Sequence, residues 1–380
     1  MHKKITDEFD EKFLKKLSHE PPFFLFSKKR ILHNLQEFKE AFPGALIQYA
    51  MKANAESNVL KTVFHAGAGF EVASKYELDM LKKIKVPAEK IVYGTSVKPA
   101  LHIKEFFEYG VDRFSFDSIS ELEKIAKMAP GSKVYVRIVV NDVGSVFRFR
   151  EKFGTEQENI IPFLQRAKEL GLHPYGISFH VGSQASDVMA WANALEILPE
   201  IMSKLSRMGI MLDVINIGGG FPCNTYLSSE EKLPLKEVAQ HTLDRFNKLP
   251  YQPLLMVEPG RGIIADTGVL VTSVIGRVER KRKAWLFLDA GVYGGLFESM
   301  VYQGSTRYRT TSICKSHKAA KGSFALAGPT GDSPDIITRD VSLPKNINVG
   351  DMVIFHDIGA YSIPAISPFN GFPKPDVYFT

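Results

Sequence analysis

The chain has only two cysteines, Cys223 and Cys314, among 380 residues. That excludes a disulfide framework and suits a reducing compartment, so a cytoplasmic protein is expected. No apolar run approaches the roughly 20 residues that a membrane helix needs, and no membrane partner is expected. The opening stretch, Met1-His2-Lys3-Lys4-Ile5-Thr6-Asp7-Glu8, is charged and lacks the apolar core of a secretory signal. Internal repeats, low-complexity tracts and long linkers are also missing. Charge of one sign is not concentrated: the net charge is +6, but Lys and Arg are scattered along the chain. That argues against a nucleic-acid partner, while the positive balance suits small anions such as phosphates. The one dense basic run, 277–283, reads as a solvated hairpin. No metal site is expected.

What is present is the composition of a soluble globular protein, 44% hydrophobic and 24% charged. The length calls for two domains. From about residue 25 to 265, strand-like apolar runs alternate with amphipathic segments. Strands are expected at 46–51, 69–72, 91–95, 113–116, 133–138, 175–181, 213–217 and 254–258. Helices are expected at 76–83, 102–109, 120–128, 160–170 and 191–208, the last kinked or broken at Pro199. Eight such units over roughly 240 residues suggest an α/β fold, a (β/α)8 TIM barrel, with a doubly wound open sheet as the competitor. Past Asp266 the pattern changes to strands with little helix, at 269–278, 284–288, 324–327 and 352–356. The expected division is a barrel at 25–265 and a β-sandwich or barrel-like domain made of 1–24 and 266–380.

In such a barrel the active site lies at the C-terminal ends of the strands. Lys52 ends the apolar run Leu46-Ile47-Gln48-Tyr49-Ala50-Met51. It is either a snorkelling strand-end lysine or, if desolvated, a nucleophilic amine able to form an imine. Glu71 ends the second strand, Arg137 lies within the fifth, and His180 and Ser183 end the sixth. Gly218-Gly219-Gly220 follows the seventh strand; Glu258, Gly260 and Arg261 follow the eighth. Singly, a glycine triplet is a turn and a strand-end histidine is a structural residue. Together they make a chemical set. The glycines bring N–H groups close to a phosphate, and Arg261 adds a bidentate charge. Lys52 suits an aldehyde, Glu258 a protonated ring nitrogen, and His180 the flat face of an aromatic ring. Phosphate, aldehyde and basic aromatic nitrogen describe pyridoxal 5′-phosphate. A carboxylate at the ring nitrogen makes a strong electron sink, which favours decarboxylation over racemisation.

The motifs resemble those of the alanine-racemase-fold (fold type III) pyridoxal-phosphate decarboxylases, the ornithine, lysine, arginine and diaminopimelate group, and most closely the ornithine/lysine branch. The matching segments are Tyr49-Ala50-Met51-Lys52-Ala53-Asn54, Gly69-Phe70-Glu71-Val72-Ala73-Ser74, Ser178-Phe179-His180-Val181-Gly182-Ser183, Gly218-Gly219-Gly220-Phe221-Pro222 and Glu258-Pro259-Gly260-Arg261. They continue as Asp289-Ala290-Gly291-Val292-Tyr293-Gly294, Gly328-Pro329-Thr330, Gly359-Ala360-Tyr361 and Phe369-Asn370-Gly371-Phe372, in family order over nearly the whole chain. The resemblance implies that Lys52 carries the cofactor, His180 stacks on its ring and Glu258 binds the ring nitrogen. It implies Ser183, Gly220, Arg261 and Tyr361 at the phosphate, with Glu71, Arg137, Gly219 and Gly260 completing the cofactor-binding set. It also implies a head-to-tail homodimer, in which the segment after Gly328-Pro329-Thr330 reaches into the partner's site. The expected small-molecule substrate is an amino acid.

Two departures stand out. The family pattern after Gly-Pro-Thr is Cys-Asp, and here it is Gly331-Asp332. The family cysteine protonates the carbanion once carbon dioxide has left, and glycine has no side-chain proton to give. Asp332, which contacts the distal group of the substrate in the family, is retained. Gln303 aligns with an aspartate that binds the terminal ammonium of ornithine, which removes a charge-assisted contact. Gln303, Gly331, Asp332 and Phe369 are the expected substrate-binding residues, and Lys52, His180 and Asp332 the catalytic ones. Three readings follow: a decarboxylase acting on an amino acid or conjugate other than plain L-ornithine or L-lysine; decarboxylation coupled to transamination or oxidation; or a non-catalytic homologue that binds the cofactor.

Overall fold

The computed structural model describes residues 9–149, 152–223, 234–281, 283–301, 308–314 and 320–380. These form two units. One comprises Ile31–Cys223 and 234–263, the other 9–30 and Ile264–Thr380.

In the first unit, short segments buried on both faces require a parallel sheet covered by helices. The strands are Leu46–Ala50, Gly69–Val72, Ile91–Tyr93, Arg113–Phe116, Lys133–Arg137, His173–Ser178, Val214–Asn216 and Leu254–Val257. Each pairs in parallel with the next, and the eighth closes on the first through Met256↔Leu46 and Val257↔Ile47. This is the (β/α)8 barrel. Inward-facing Val92, Tyr135, Tyr175, Val214 and Met256 fill its lower interior, with Leu46 packed against them. Helices follow the strands, among them Lys75–Lys83 and Ile119–Met128, capped at their N-termini by the Ser74 and Ser118 hydroxyls.

Several elements differ from the sequence expectation. The sixth strand ends at Ser178, so His180 lies two residues beyond it and Ser183 opens a separate strand, Ser183–Ala185, antiparallel to Ser145–Phe147. Arg137 is the last residue of its strand rather than an interior one. The expected helix 191–208 is two helices, Ala190–Ala194 and Leu198–Arg207; Pro199 sits in the first turn of the second, where its missing N–H costs nothing.

The second unit is an eight-stranded sheet. Residues 25–30, grouped with the barrel by sequence, belong here. Phe23–Phe26 pairs antiparallel with Gly268–Arg280 and parallel with Asp376–Phe379. Period-2 alternation sends Phe24, Phe26 and Leu270 into one core and Phe23, Leu25, Val269 and Val271 into another. The basic run is a hairpin end in which Arg280 pairs with Lys283. Strands Thr310–Ile313, Ile336–Pro344 and Asp376–Phe379 were not apparent from the sequence.

A buried ion pair braces the barrel between the third and fourth units. Lys98 has no exposed side-chain surface, and its Nζ lies 3.0 Å from Glu121 Oε1. It also donates to the carbonyls of Thr95 (2.9 Å), Ser96 (3.3 Å) and Ser115 (2.5 Å). Burial pushes the ammonium down to about 8 against the pull of Glu121. Lys98→Met should cost about 3 kcal/mol, the low end for a broken buried pair because Lys124 still contacts Glu121 at 2.6 Å. Urea unfolding measures this, and a loss below about 1 kcal/mol would show that the pair does not brace the fold.

Candidate active site at the C-terminal rim of the barrel

The first strand ends at Ala50, and the chain turns through the single 3₁₀ turn Met51–Ala53. Met51 and Ala53 point inward, which leaves the Lys52 side chain 49% exposed with its Nζ 3.4 Å from Glu71 Oε2. The turn sets the amine facing a carboxylate. Glu71 is itself buried, beside Ala50 in the parallel register. Its carboxylate occupies space that a side chain at Gly94 would fill, since a Cβ there would lie 2.6 Å from Glu71 Cγ. Behind it, Glu77 accepts the Ala73 N–H at 2.6 Å and is pushed up to about 7, by burial first and by the nearby Glu71 charge.

His180 accepts the Gly182 N–H on Nδ1 at 3.0 Å, which assigns its proton to Nε2. Desolvation, then Arg137 and Lys52, hold it well below its ordinary value, so the ring is neutral. Phe149 meets it edge-on at 5.0 Å. Arg137 lies 5.1 Å from the Phe153 ring centre and feels the charges of Glu258 and Glu71.

Asn216, the last residue of the seventh strand, joins the other half of the rim. Its Nδ2 donates to Glu258 Oε1 at 2.6 Å, and its Oδ1 accepts the Gly218 N–H at 2.9 Å. Burial and Glu71 push Glu258 up to about 7, opposed by Asn216, Lys52 and Arg137. The glycine turn is fixed through its carbonyls: Gly218 accepts from Glu258 N at 2.8 Å, Gly219 from Trp191 Nε1 at 3.0 Å, and Gly220 from Ala185 N at 3.0 Å. No acceptor among the described residues takes the N–H of Gly219 or Gly220. A Cβ at Gly219 would lie 2.6 Å from Glu258 O and 3.2 Å from His180 Nε2, and Gly220 has φ +96. Both positions therefore need glycine. Gly260 is wedged between Ala50 and Ala53, 3.1 and 3.0 Å from a Cβ built on it. The buried Arg261 guanidinium lies 5.7 Å from the Phe147 ring centre, and Phe147 pairs with Ser183.

The barrel thus gathers Lys52, Glu71, Arg137, His180, Ser183, Gly219, Gly220, Glu258, Gly260 and Arg261 on one rim. Unclaimed N–H donors, a nearby guanidinium, a flat neutral imidazole, an amine and a carboxylate raised by burial and by Glu71 fit pyridoxal 5′-phosphate. Asn216, Trp191, Gln184 and Gly94 were missed by sequence reasoning; only Asn216, immediately before Ile217-Gly218, carried a local signal, a strand-end amide poised to cap a turn.

The remaining expected residues lie in the sheet unit. Tyr293 donates its hydroxyl to Asp332 Oδ2 and stacks on Phe369 at 4.5 Å, so these two expected residues are brought together. Asp335, also missed, holds the loop. Its carboxylate accepts the N–H of Val292 (2.8 Å) and Thr330 (3.1 Å) and the Thr330 hydroxyl (2.6 Å). Gly331 is exposed, and a Cβ there would meet nothing within 4 Å. Tyr361 follows strand Met352–His356, at φ +58. Gln303 lies outside the described residues.

Residues 28–265 match the family described as pyridoxal-dependent decarboxylase, pyridoxal binding domain. The chain is 34% identical over 352 residues to lysine/ornithine decarboxylase of Selenomonas ruminantium, covering 92% of this chain and 87% of that one. It is 30% identical to antizyme inhibitor 2 of Xenopus laevis, over 94% and 80% of the two chains. The crystal structure of SrLDC in complex with PLP and cadaverine superposes with a TM-score of 0.88 at 31% identity, covering 99% of this chain and 94% of that one. The fold and site define a fold type III pyridoxal-phosphate enzyme. The chain belongs to the pyridoxal-dependent decarboxylases, and its cofactor is pyridoxal 5′-phosphate.

The raised Glu258 gives a stability test. The folded, cofactor-free protein keeps a proton on Glu258 that the unfolded chain releases near pH 4. Its contribution is present below that value and is lost as pH rises through about 7. Between these limits the cofactor-free protein should weaken as pH rises, and Glu258→Gln should remove roughly 1–3 kcal/mol of that decline. Urea midpoints across the range read it, and equal slopes for the two proteins would contradict it.

Proposed function

We infer that the protein decarboxylates an amino acid or amino-acid conjugate to an amine and carbon dioxide, and that its substrate is not plain L-ornithine or L-lysine. The carrying observation is the rim itself, with Lys52, neutral His180 and buried Glu258 around an anion cradle. Pyridoxal phosphate, when bound, supplies an aldehyde for the substrate amine and a ring that takes up the electron pair left at Cα. Lys52 would hold the aldehyde covalently between turnovers. Glu258 would keep the ring nitrogen protonated by its charge, with Asn216 fixing its oxygen. His180, neutral and held by the Gly182 N–H and the edge of Phe149, would lie along the ring. Ser183, Gly219, Gly220 and Arg261 would bind the phosphate. Glu71, Arg137 and Gly260 shape the floor of the site.

The substrate end is read from the sheet unit. We place Asp332 and Phe369, joined by Tyr293, in the partner chain's site within a homodimer. Tyr293 already occupies one oxygen of Asp332, which leaves less acceptor capacity for a cationic tail. Gly331 offers no acid where its exposed position would suit one. That observation favours a second reading, in which poor protonation at Cα diverts turnover to transamination or oxidation. The reading as a non-catalytic homologue has a named relative in antizyme inhibitor 2, but the retained lysine, histidine, carboxylate and arginine weigh against it.

Two experiments decide these points. Lys52→Ala and Asp332→Ala chains, each inactive alone, should regain about a quarter of native activity after mixing, because random pairing leaves one intact site in half the dimers. No recovery after verified exchange would mean that each chain builds its own site. With L-ornithine, turnover should be slow and should yield aldehyde and pyridoxamine phosphate alongside amine, and Gly331→Cys should shift the products towards amine. Clean conversion to putrescine at roughly 1–10³ per second would refute the substrate assignment.

A further inference from the structure

One buried side chain beside the rim has no part in the reading above. Gln184 has no exposed surface and stands at φ +57, a left-handed conformation that costs a residue with a side chain on the order of 1 kcal/mol or more. Such a conformation persists where the surroundings over-determine it, and here they do. The Gln184 amide closes on the backbone of Cys223, accepting its N–H on Oε1 at 2.7 Å and donating Nε2 to its carbonyl at 3.3 Å. Nε2 also lies 3.6 Å from Cys223 Sγ. The two residues are 39 positions apart, and the amide acts as one rung of a β ladder where no strand continues. The adjacent residue, Ala185, donates to Gly220 O at 3.0 Å. The preceding residue is Ser183.

The segment 220–223 is thus tied to 184–185 at two points, while Gly218 is tied to Asn216 and Gly219 to Trp191. Every carbonyl of the turn is thus engaged, while no acceptor among the described residues takes the Gly219 and Gly220 N–H groups. Loss of the Gln184 clasp would leave the far end of the turn tied to the Ser183–Ala185 strand only through Ala185 and Gly220.

We propose that Gln184 is a positioning residue for the phosphate cradle: its strained, buried amide clamps Cys223 so that the glycine-turn N–H groups and Ser183 converge on one anion. This rests on the reading that the turn binds the cofactor phosphate.

The test compares pyridoxal phosphate with unphosphorylated pyridoxal on the cofactor-free full-length protein, by absorbance titration. Wild type should prefer the phosphorylated form strongly. Gln184→Met should weaken pyridoxal phosphate binding roughly ten- to hundredfold, the loss expected when charge-assisted hydrogen bonds are misaligned, and leave pyridoxal within about twofold. The phosphorus NMR signal of the bound cofactor should shift and broaden. If Gln184→Met does not fold, Gln184→Glu carries the same expectation, since it keeps the acceptor for the Cys223 N–H and loses the donor. Trp191→Phe, which loses the bond to Gly219 and part of the ring stacked on Phe221, should act in the same direction. Equal weakening for both ligands, or an unchanged preference in the Gln184 variants, overturns the proposal. A wild type without preference for the phosphorylated form overturns instead the reading of the turn as the phosphate site.

Discussion

The rim of this barrel depends on one side-chain amide. Asn216 gives its N–H to the buried Glu258 carboxylate and takes the N–H of Gly218, so the carboxylate and the glycine turn cannot move independently. A neutral donor is what this position requires. Burial and Glu71 both disfavour ionised Glu258, and a second carboxylate in place of Asn216 would compound them. The remaining want of positive charge is what a protonated ring nitrogen satisfies. Space matters beside charge: Gly94 makes room for Glu71, and Gly219 makes room for the imidazole of His180.

Much of this was legible in the sequence because a parallel barrel exposes its strand ends on one rim, and polar residues at those ends mark themselves against apolar runs. Lys52, Glu71, Glu258 and Arg261 were found in that way. The residues that escaped notice act on backbone atoms far away in the chain. Trp191 reaches Gly219 and Gln184 reaches Cys223, and neither has a neighbour in sequence that announces the contact. Which of its two readings suits Lys52 was not legible for a related reason. A strand end predicts burial, but a 3₁₀ turn begins at Met51 and carries the amine outward. In the sheet unit, Ile336–Pro344 escaped detection because Thr338, Arg339 and Asp340 interrupt its apolar pattern on an exposed stretch.

The loops of the sheet unit show the same economy of means. Asp335 binds two loops through three donors, and Gly291 and Gly328 are glycines because a Cβ on either would run into its carboxylate. Asp332 is therefore delivered by a scaffold that does not involve Gly331. A side chain at Gly331 would meet nothing within 4 Å, so the loop has room for one as it stands.

The glycine at 331 also changes how the protein meets oxidants. Cys223 and Cys314 are its only sulfhydryls, and both are buried. A thiol at position 331 would add a third, more reactive sulfhydryl to the chain. At that position this chain has no sulfur to oxidise or alkylate.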